Sequence, residues 1–89
     1  MKGIITVVGK DQVGIIAKVC TYLSNMGVNI LDITQTIIQG YFNMMMIVDI
    51  TNTNRRIEDL AEDLKNLGEG IGVQIKLQHE DIFNTMHRI

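Results

Sequence analysis

The sequence lacks several features that mark common classes of protein. It has no proline and no low-complexity stretch, so nothing marks a linker, and 89 residues are the length of one domain. Ten acidic and eight basic side chains give a net charge of -2, whereas nucleic-acid-binding modules usually carry a basic excess. The longest apolar runs fall far short of the ~20 residues that span a bilayer, and no signal peptide is evident. We therefore expect a cytoplasmic protein that binds neither nucleic acid nor membranes.

Residue types that build metal sites and active sites are also scarce. The single cysteine, Cys20, cannot form an internal disulfide, and its position in a helical pattern predicts that it packs as a small core residue. His79 and His87 would lie about 12 Å apart along one helix, too far to share a metal ion without another segment or subunit. The only serine, Ser24, has no evident base. We expect no metal, no cofactor and no enzymatic activity; an enzyme or a metal-binding protein that uses the histidines is the weakest alternative.

The sequence does contain a regular succession of strand and helix patterns. The predicted elements are a strand over 3–8, a helix over 13–26, strands over 29–39 and 41–50, a helix that begins after Thr53 or Asn54 and ends at Gly68–Gly72, a strand over 73–78, and a short amphipathic helix over 81–89.

This order is β-α-β-β-α-β with a short C-terminal helix. Because crossover connections are right-handed, few topologies remain, and the natural one is a ferredoxin-like α+β sandwich with both helices on one face of an antiparallel sheet. The polar strand over 29–39 is expected at a sheet edge, and the strand over 41–50 has the clearest core face. Unpaired sheet edges, and the apolar Met45 and Ile47 on the reverse face, favour pairing of two copies.

The fold alone does not identify a function. Metal carriers of this shape need paired cysteines in the first loop, and RNA-binding versions need exposed aromatic residues on the central strands. An acyl-phosphate hydrolase needs an arginine beside the phosphate. The first loop here contains neither cysteine nor arginine, and the chain has only two tyrosines, two phenylalanines and no tryptophan. A ligand-sensing module is the remaining class.

The stretch GKDQVG, residues 9–14, connects the first strand to the first helix. A helix start offers unpaired backbone N–H groups and the positive end of the helix dipole, which suit a carboxylate. Gly14 would let a ligand approach the backbone closely, and Asp11 could either cap the helix or accept a hydrogen bond from a ligand ammonium group. Two interpretations stay open from the residues alone: a capped turn, or a binding position for a free amino acid.

A resemblance to a known family favours the second interpretation. The residues that resemble the signature of ACT domains are Gly9, Asp11, the run Gly14–Val19, Leu23, the run Gly27–Ile30 and Asp32. ACT domains are small β-α-β-β-α-β regulatory modules, often attached to enzymes of amino-acid metabolism. The resemblance implies an ACT-like domain over 1–80, with 81–89 as its C-terminal helical extension. Short stand-alone bacterial members, some grouped with regulators of glycine cleavage, end in a tail similar to HEDIFN…MHRI.

The resemblance also implies where a ligand binds. In the family an amino acid typically lies between the first loop of one domain and an edge strand of its neighbour. The candidate ligand-binding residues are Asp11, Gln12, Val13, Gly14, Ile15, Asn29 and Ile30. We expect a regulatory homodimer that binds an amino acid or similar small carboxylate and signals through assembly or through a separate protein partner. The alternative is an assembly domain that binds no ligand.

Overall fold

A computed structural model describes residues 1–81 and contains one four-stranded antiparallel sheet with two helices. The elements are β1 Lys2–Lys10, α1 Ile15–Asn25, β2 Asn29–Ile38, β3 Tyr41–Asp49, α2 Ile57–Ile71 and β4 Val73–His79. The strand order is β2-β3-β1-β4, so β2 and β4 are the two edges. This confirms the predicted ferredoxin-like fold and the edge position of β2. The helix predicted over 81–89 falls, apart from Asp81, outside the described residues.

The hydrophobic core lies between the sheet and both helices. The face of β3 predicted to be buried is almost completely shielded from solvent: Phe42, Met44, Met46 and Val48 are each at most 3% exposed. One face of β1, one face of β4 and the apolar stripes of the helices complete the same cluster. Its other members are Ile5, Val7, Ile15, Val19, Leu23, Val28, Ile50, Leu60, Leu64, Val73 and Ile75. The period-two pattern therefore identifies the core face of β3 correctly. In α1 the helical spacing places Ile16 on the apolar stripe, whereas Ile15 is buried and Ile16 is exposed.

The start of α1 differs from the prediction. The chain from Asp11 to Gly14 is a loop, and the helix begins at Ile15 with Gly14 as its N-cap in the left-handed conformation (φ 95°). No side chain within residues 1–81 caps the helix, so of the two roles considered for Asp11 the structure does not show the capping one. The Asp11 backbone N–H instead donates to the carbonyl oxygen of Gly40 at 2.8 Å, which ties this residue to the β2–β3 turn.

The start of α2 also lies later than predicted. The helix begins at Ile57 with Arg56 as its N-cap, so neither Thr53 nor Asn54 caps it. The Thr53 hydroxyl oxygen accepts a hydrogen bond from the Arg55 backbone N–H at 3.2 Å, and this bond stabilises the turn that precedes the helix. In residues 1–81 neither helix has the length and apolar character needed to cross a membrane.

Within residues 1–81, strand β2 is exposed on both faces apart from Ile30, which packs against the core. Ile33 and Ile37 pair with Met46 and Phe42 of β3, so they lie on the helix side of the sheet, yet both side chains are exposed. Ile38, on the reverse face, is exposed as well. The two helices therefore cover the core only as far as β3, and the β2 edge presents apolar side chains to solvent.

Candidate functional site

The β1–α1 loop, Asp11–Gly14, is held from two sides. On one side the Asp11 N–H bonds to Gly40 in the β2–β3 turn. On the other side the Gln12 side-chain amide donates a hydrogen bond to the backbone carbonyl of Ile71, at the end of α2. Val13 is fully exposed. The loop therefore has a fixed backbone position and an exposed outer surface.

The space above the start of α1 is open. A Cβ atom built on Gly14 would meet no other atom within 4 Å. The N–H groups of the first helical turn have no acceptor within the helix, and they carry the positive end of the helix dipole. A small carboxylate placed here could accept hydrogen bonds from these groups, and the exposed Asp11 side chain could accept a hydrogen bond from a ligand ammonium group.

The two candidate isoleucines are less accessible than the loop. Ile15 is 2% exposed, and its side chain belongs to the core. Ile30 is half-buried and packs against the core from β2. Apolar contact with a ligand is thus available from Ile30 and from the exposed Val13, and not from the Ile15 side chain of the same chain.

The structure does not bring all candidate residues together within one chain. Aligned positions across the sheet define its two ends: Lys2, Asp49 and Asn29 at one end, and Lys10, Tyr41 and Ile38 at the other. The β1–α1 loop follows Lys10, whereas β2 begins at Asn29. The nine residues of β1 span roughly 27 Å at ~3.3 Å per residue. Asp11–Gly14 and the pair Asn29–Ile30 therefore lie at opposite ends of the sheet.

Asn29 has its own surroundings at the C-terminal end of α1. A shallow depression of about 340 Å³ is lined by Cys20, Ser24, Gly27, Val28, Asn29 and Ile30. No sequence pattern connects Cys20 or Ser24 with Asn29. Their four-residue spacing places them on one side of the helix, and the turn at Gly27 brings the start of β2 beside them. Cys20 also packs against the core, as predicted.

A second polar cluster joins the two helices. The Tyr22 hydroxyl donates a hydrogen bond to Asp63 Oδ2 at 2.6 Å, and Arg55 Nη2 donates to the same oxygen at 2.6 Å. Partial burial, together with the hydrogen bond and the negative charge of Asp63, raises the pKa of the Tyr22 hydroxyl. The two hydrogen bonds to Asp63 link α1 and the turn before α2 to the middle of α2.

The histidines do not define a metal site in the part of the chain that the structure describes. No group of three or more His, Cys, Asp or Glu side chains within residues 1–81 is placed to hold a metal ion. His79 ends β4, and its Nδ1 accepts a hydrogen bond from the Asp81 backbone N–H at 3.2 Å. His87 lies outside the described residues.

The element order and the sheet topology define a domain of the ferredoxin-like class. The family model for the ACT domain matches residues 3–78, and the chain belongs to the ACT domain family, whose members are small regulatory ligand-binding domains. A UPF0237 protein of Bifidobacterium longum is 61% identical over 88 residues, covering 99% of this chain and 98% of that protein.

Solved structures show the same fold. An ACT domain protein from Streptococcus pneumoniae has a TM-score of 0.83 and 40% sequence identity, and the match covers 93% of each chain. A proposed glycine cleavage system transcriptional repressor has a TM-score of 0.76 and 24% identity, covering 89% of this chain and 47% of that one. The second likeness is one of fold alone.

Proposed function

We propose that this protein is a regulatory homodimer with two equivalent sites for an amino acid or a similar small carboxylate. Each site consists of the β1–α1 loop of one chain and the start of β2 of the other. The observation that carries this proposal is the separation of Asp11–Gly14 from Asn29 at opposite ends of one sheet. If both segments contact one ligand, they must come from different chains.

The exposed edge at β2 supports this arrangement. Antiparallel pairing of two β2 strands, centred near Thr34, would join two sheets into one of eight strands and cover the exposed apolar residues of this edge. In that pairing Asn29 of the second chain lies beside the Ile38 end of the first. The β2–β3 turn follows Ile38, and Asp11 is bonded to Gly40 of that turn. The two halves of the site then lie on the same side of the assembly.

The chemistry of the two halves is complementary to a free amino acid. The ligand carboxylate would accept hydrogen bonds from the first-turn N–H groups of α1, with Gly14 leaving room for its approach. The ligand ammonium group would donate to the Asp11 carboxylate. The side-chain amide of Asn29 from the second chain can donate and accept hydrogen bonds, so it could contact either group.

Mixing two inactive variants tests whether the site is shared. Calorimetric titration with each of the twenty amino acids identifies the ligand, and light scattering gives the mass. Asp11→Ala and Asn29→Ala should each lose binding while remaining dimeric. After the two variants are mixed and exchanged, random pairing gives mixed dimers in which one site is intact, and about a quarter of the wild-type capacity should return.

Two outcomes would contradict the proposal. If the mixture binds no amino acid although both variants are dimeric, Asp11 of one chain and Asn29 of the other do not form one site. Failure of the wild-type protein to bind any amino acid or small carboxylate, again as a dimer, would favour an assembly domain without a ligand.

A further inference from the structure

A groove of about 910 Å³ runs along the opposite edge of the sheet, between α2 and β4. The β4 residues on the helix side form an apolar floor, in which Val73 and Ile75 are buried and Leu77 is half-buried. Gln74, Lys76 and Gln78 of β4 also line the groove. Ala61 lines the groove from the helix, and its single methyl group fills little of the space. The groove shares no residue with the site proposed for the amino acid.

The helix wall of the groove carries a row of charged side chains. Glu58, Glu62, Lys65 and Glu69 recur every three or four residues along one side of α2, and all are exposed. Glu58 pairs with Arg56, with 3.3 Å between Arg56 Nε and Glu58 Oε2. Within residues 1–81, no ion-pair partner is found for Glu62 or Glu69. Lys65 is the basic member of the row, so the helix wall is acidic in net charge, and it stands beside an apolar floor.

The open side of the groove is a free strand edge. Within residues 1–81, β4 pairs with β1 alone, so alternate backbone N–H and C=O groups of β4 face away from the described sheet. We propose that an extended segment of another protein binds here by adding to β4 as a further strand. Its apolar and basic side chains face α2, and its acidic side chains lie on the reverse face beside Lys76.

Charge argues against a second copy of this chain as the occupant. Lys76 is the middle residue of β4, so a twofold pairing of two β4 strands would place the two Lys76 side chains opposite each other. Like charges in that position destabilise an antiparallel pair. The exclusion of a second copy also rests on the proposed function. If β2 is already paired with one copy, pairing of β4 with another copy would join chains into an open-ended sheet.

A pair of designed peptides tests the inference. The probe is the fluorescein-labelled peptide Ser-Lys-Glu-Ile-Glu-Val-Glu-Lys-Ser, in which Ile and Val share a face with Lys, and Glu occupies the other face. The control peptide, Ser-Glu-Lys-Ile-Lys-Val-Lys-Glu-Ser, exchanges Lys and Glu and keeps the apolar residues. Fluorescence anisotropy at low salt should show binding of the probe about tenfold or more tighter than the control, since several cross-strand charge pairs are reversed. The net charge of the protein would favour the control, so the expected preference opposes non-specific attraction.

Charge reversal on the helix wall provides the matched variants. Glu62→Lys combined with Glu69→Lys should abolish the preference for the probe, because both side chains are exposed and line the groove. Asp59→Lys, on α2 but outside the groove lining, should leave the preference unchanged. Three results would overturn the inference. Neither peptide binds, the preference for the probe survives the double charge reversal, or the NMR shift changes caused by the probe are centred on β2.

The peptide test can fail separately from the amino-acid test. Asp11→Ala and Asn29→Ala alter neither α2 nor β4, so these variants should bind the probe with wild-type affinity. Loss of amino-acid binding together with retained peptide binding would confirm that the two sites are independent.

Discussion

The side-chain amide of Gln12 donates a hydrogen bond to the backbone carbonyl of Ile71, which joins the β1–α1 loop to the end of α2. The two residues are 59 positions apart in the sequence. With the bond from the Asp11 N–H to Gly40, this contact fixes the loop before any ligand arrives. A loop that is already ordered loses less conformational entropy on binding than a mobile one.

Replacing Gln12 tests this role. Gln12→Ala should lower the free energy of unfolding by only about 1 kcal/mol, because the bond is exposed to solvent. Amide hydrogen exchange of residues 11–14 should become faster, and amino-acid affinity should fall several-fold because the loop must then be ordered on binding. Gln74→Ala, at an exposed position of β4, should change neither the amide exchange of residues 11–14 nor the affinity for the amino acid. Unchanged exchange and affinity in Gln12→Ala would show that the bond does not hold the loop.

Two glycines in α2 should respond to the same substitution with opposite signs. A Cβ atom on Gly68 would lie 2.6 Å from the Val73 carbonyl oxygen and 3.0 Å from Ile75 Cγ1, so Gly68→Ala must push α2 away from β4 and should cost about 1–3 kcal/mol. A Cβ atom on Gly70 would meet no atom within 4 Å, and Gly70→Ala should stabilise the helix by up to about 1 kcal/mol. Urea unfolding of both variants measures the difference. Equal effects would contradict the close approach at Gly68.

The hydrogen bond between Tyr22 and Asp63 predicts a dependence of stability on alkaline pH. The pKa of Tyr22 is raised in the folded state. The contribution of Tyr22 to stability is therefore complete below the pKa of tyrosine in the unfolded chain, about 10, and is lost as the pH rises from that value towards the folded pKa. Tyr22→Phe should cost about 1–2 kcal/mol at neutral pH, because the bond is made to a charged group. The difference between wild type and variant should shrink above that pH.

Tyrosinate absorbance can follow this group directly. The chain has two tyrosines and no tryptophan, so Tyr41→Phe leaves Tyr22 as the only tyrosine. In that background the absorbance change should occur well above the pH at which a free tyrosine ionises. Ionisation at the ordinary value would contradict the contact with Asp63.

The sequence predicted the fold well because the dominant signals are local. Alternating burial along residues 41–50 and the apolar stripe of residues 57–67 depend only on the periods of a strand and a helix. Helix starts were less predictable. Asp11, Thr53 and Asn54 all have capping chemistry, but the backbone of Asp11 is held by Gly40 and the hydroxyl of Thr53 bonds to Arg55, so neither helix begins where these residues suggested.

The candidate site was predictable only in part for the same reason. The β1–α1 loop could be found from GKDQVG, since its chemistry is contained in neighbouring residues. The distance between Gly14 and Asn29 depends on how the strands pair, and the bond from Gln12 to Ile71 joins segments far apart in the sequence. The groove between α2 and β4 requires knowing that β4 is an edge. Such features follow from tertiary arrangement and leave no local pattern.

Charge placed on β2 tests the proposed pairing of two chains. Thr34 is exposed near the middle of β2, so Thr34→Arg should place like charges close together at the twofold axis and shift the protein towards monomers. Thr34→Asp should do the same, and a mixture of the two variants should recover dimers because the charges then attract. Thr21→Arg, an identical change on the exposed surface of α1, should leave the mass unchanged in sedimentation experiments. If the Thr34→Arg variant remains fully dimeric, the interface between chains lies elsewhere. The amino-acid site could then not be built from the β1–α1 loop of one chain and Asn29 of the other.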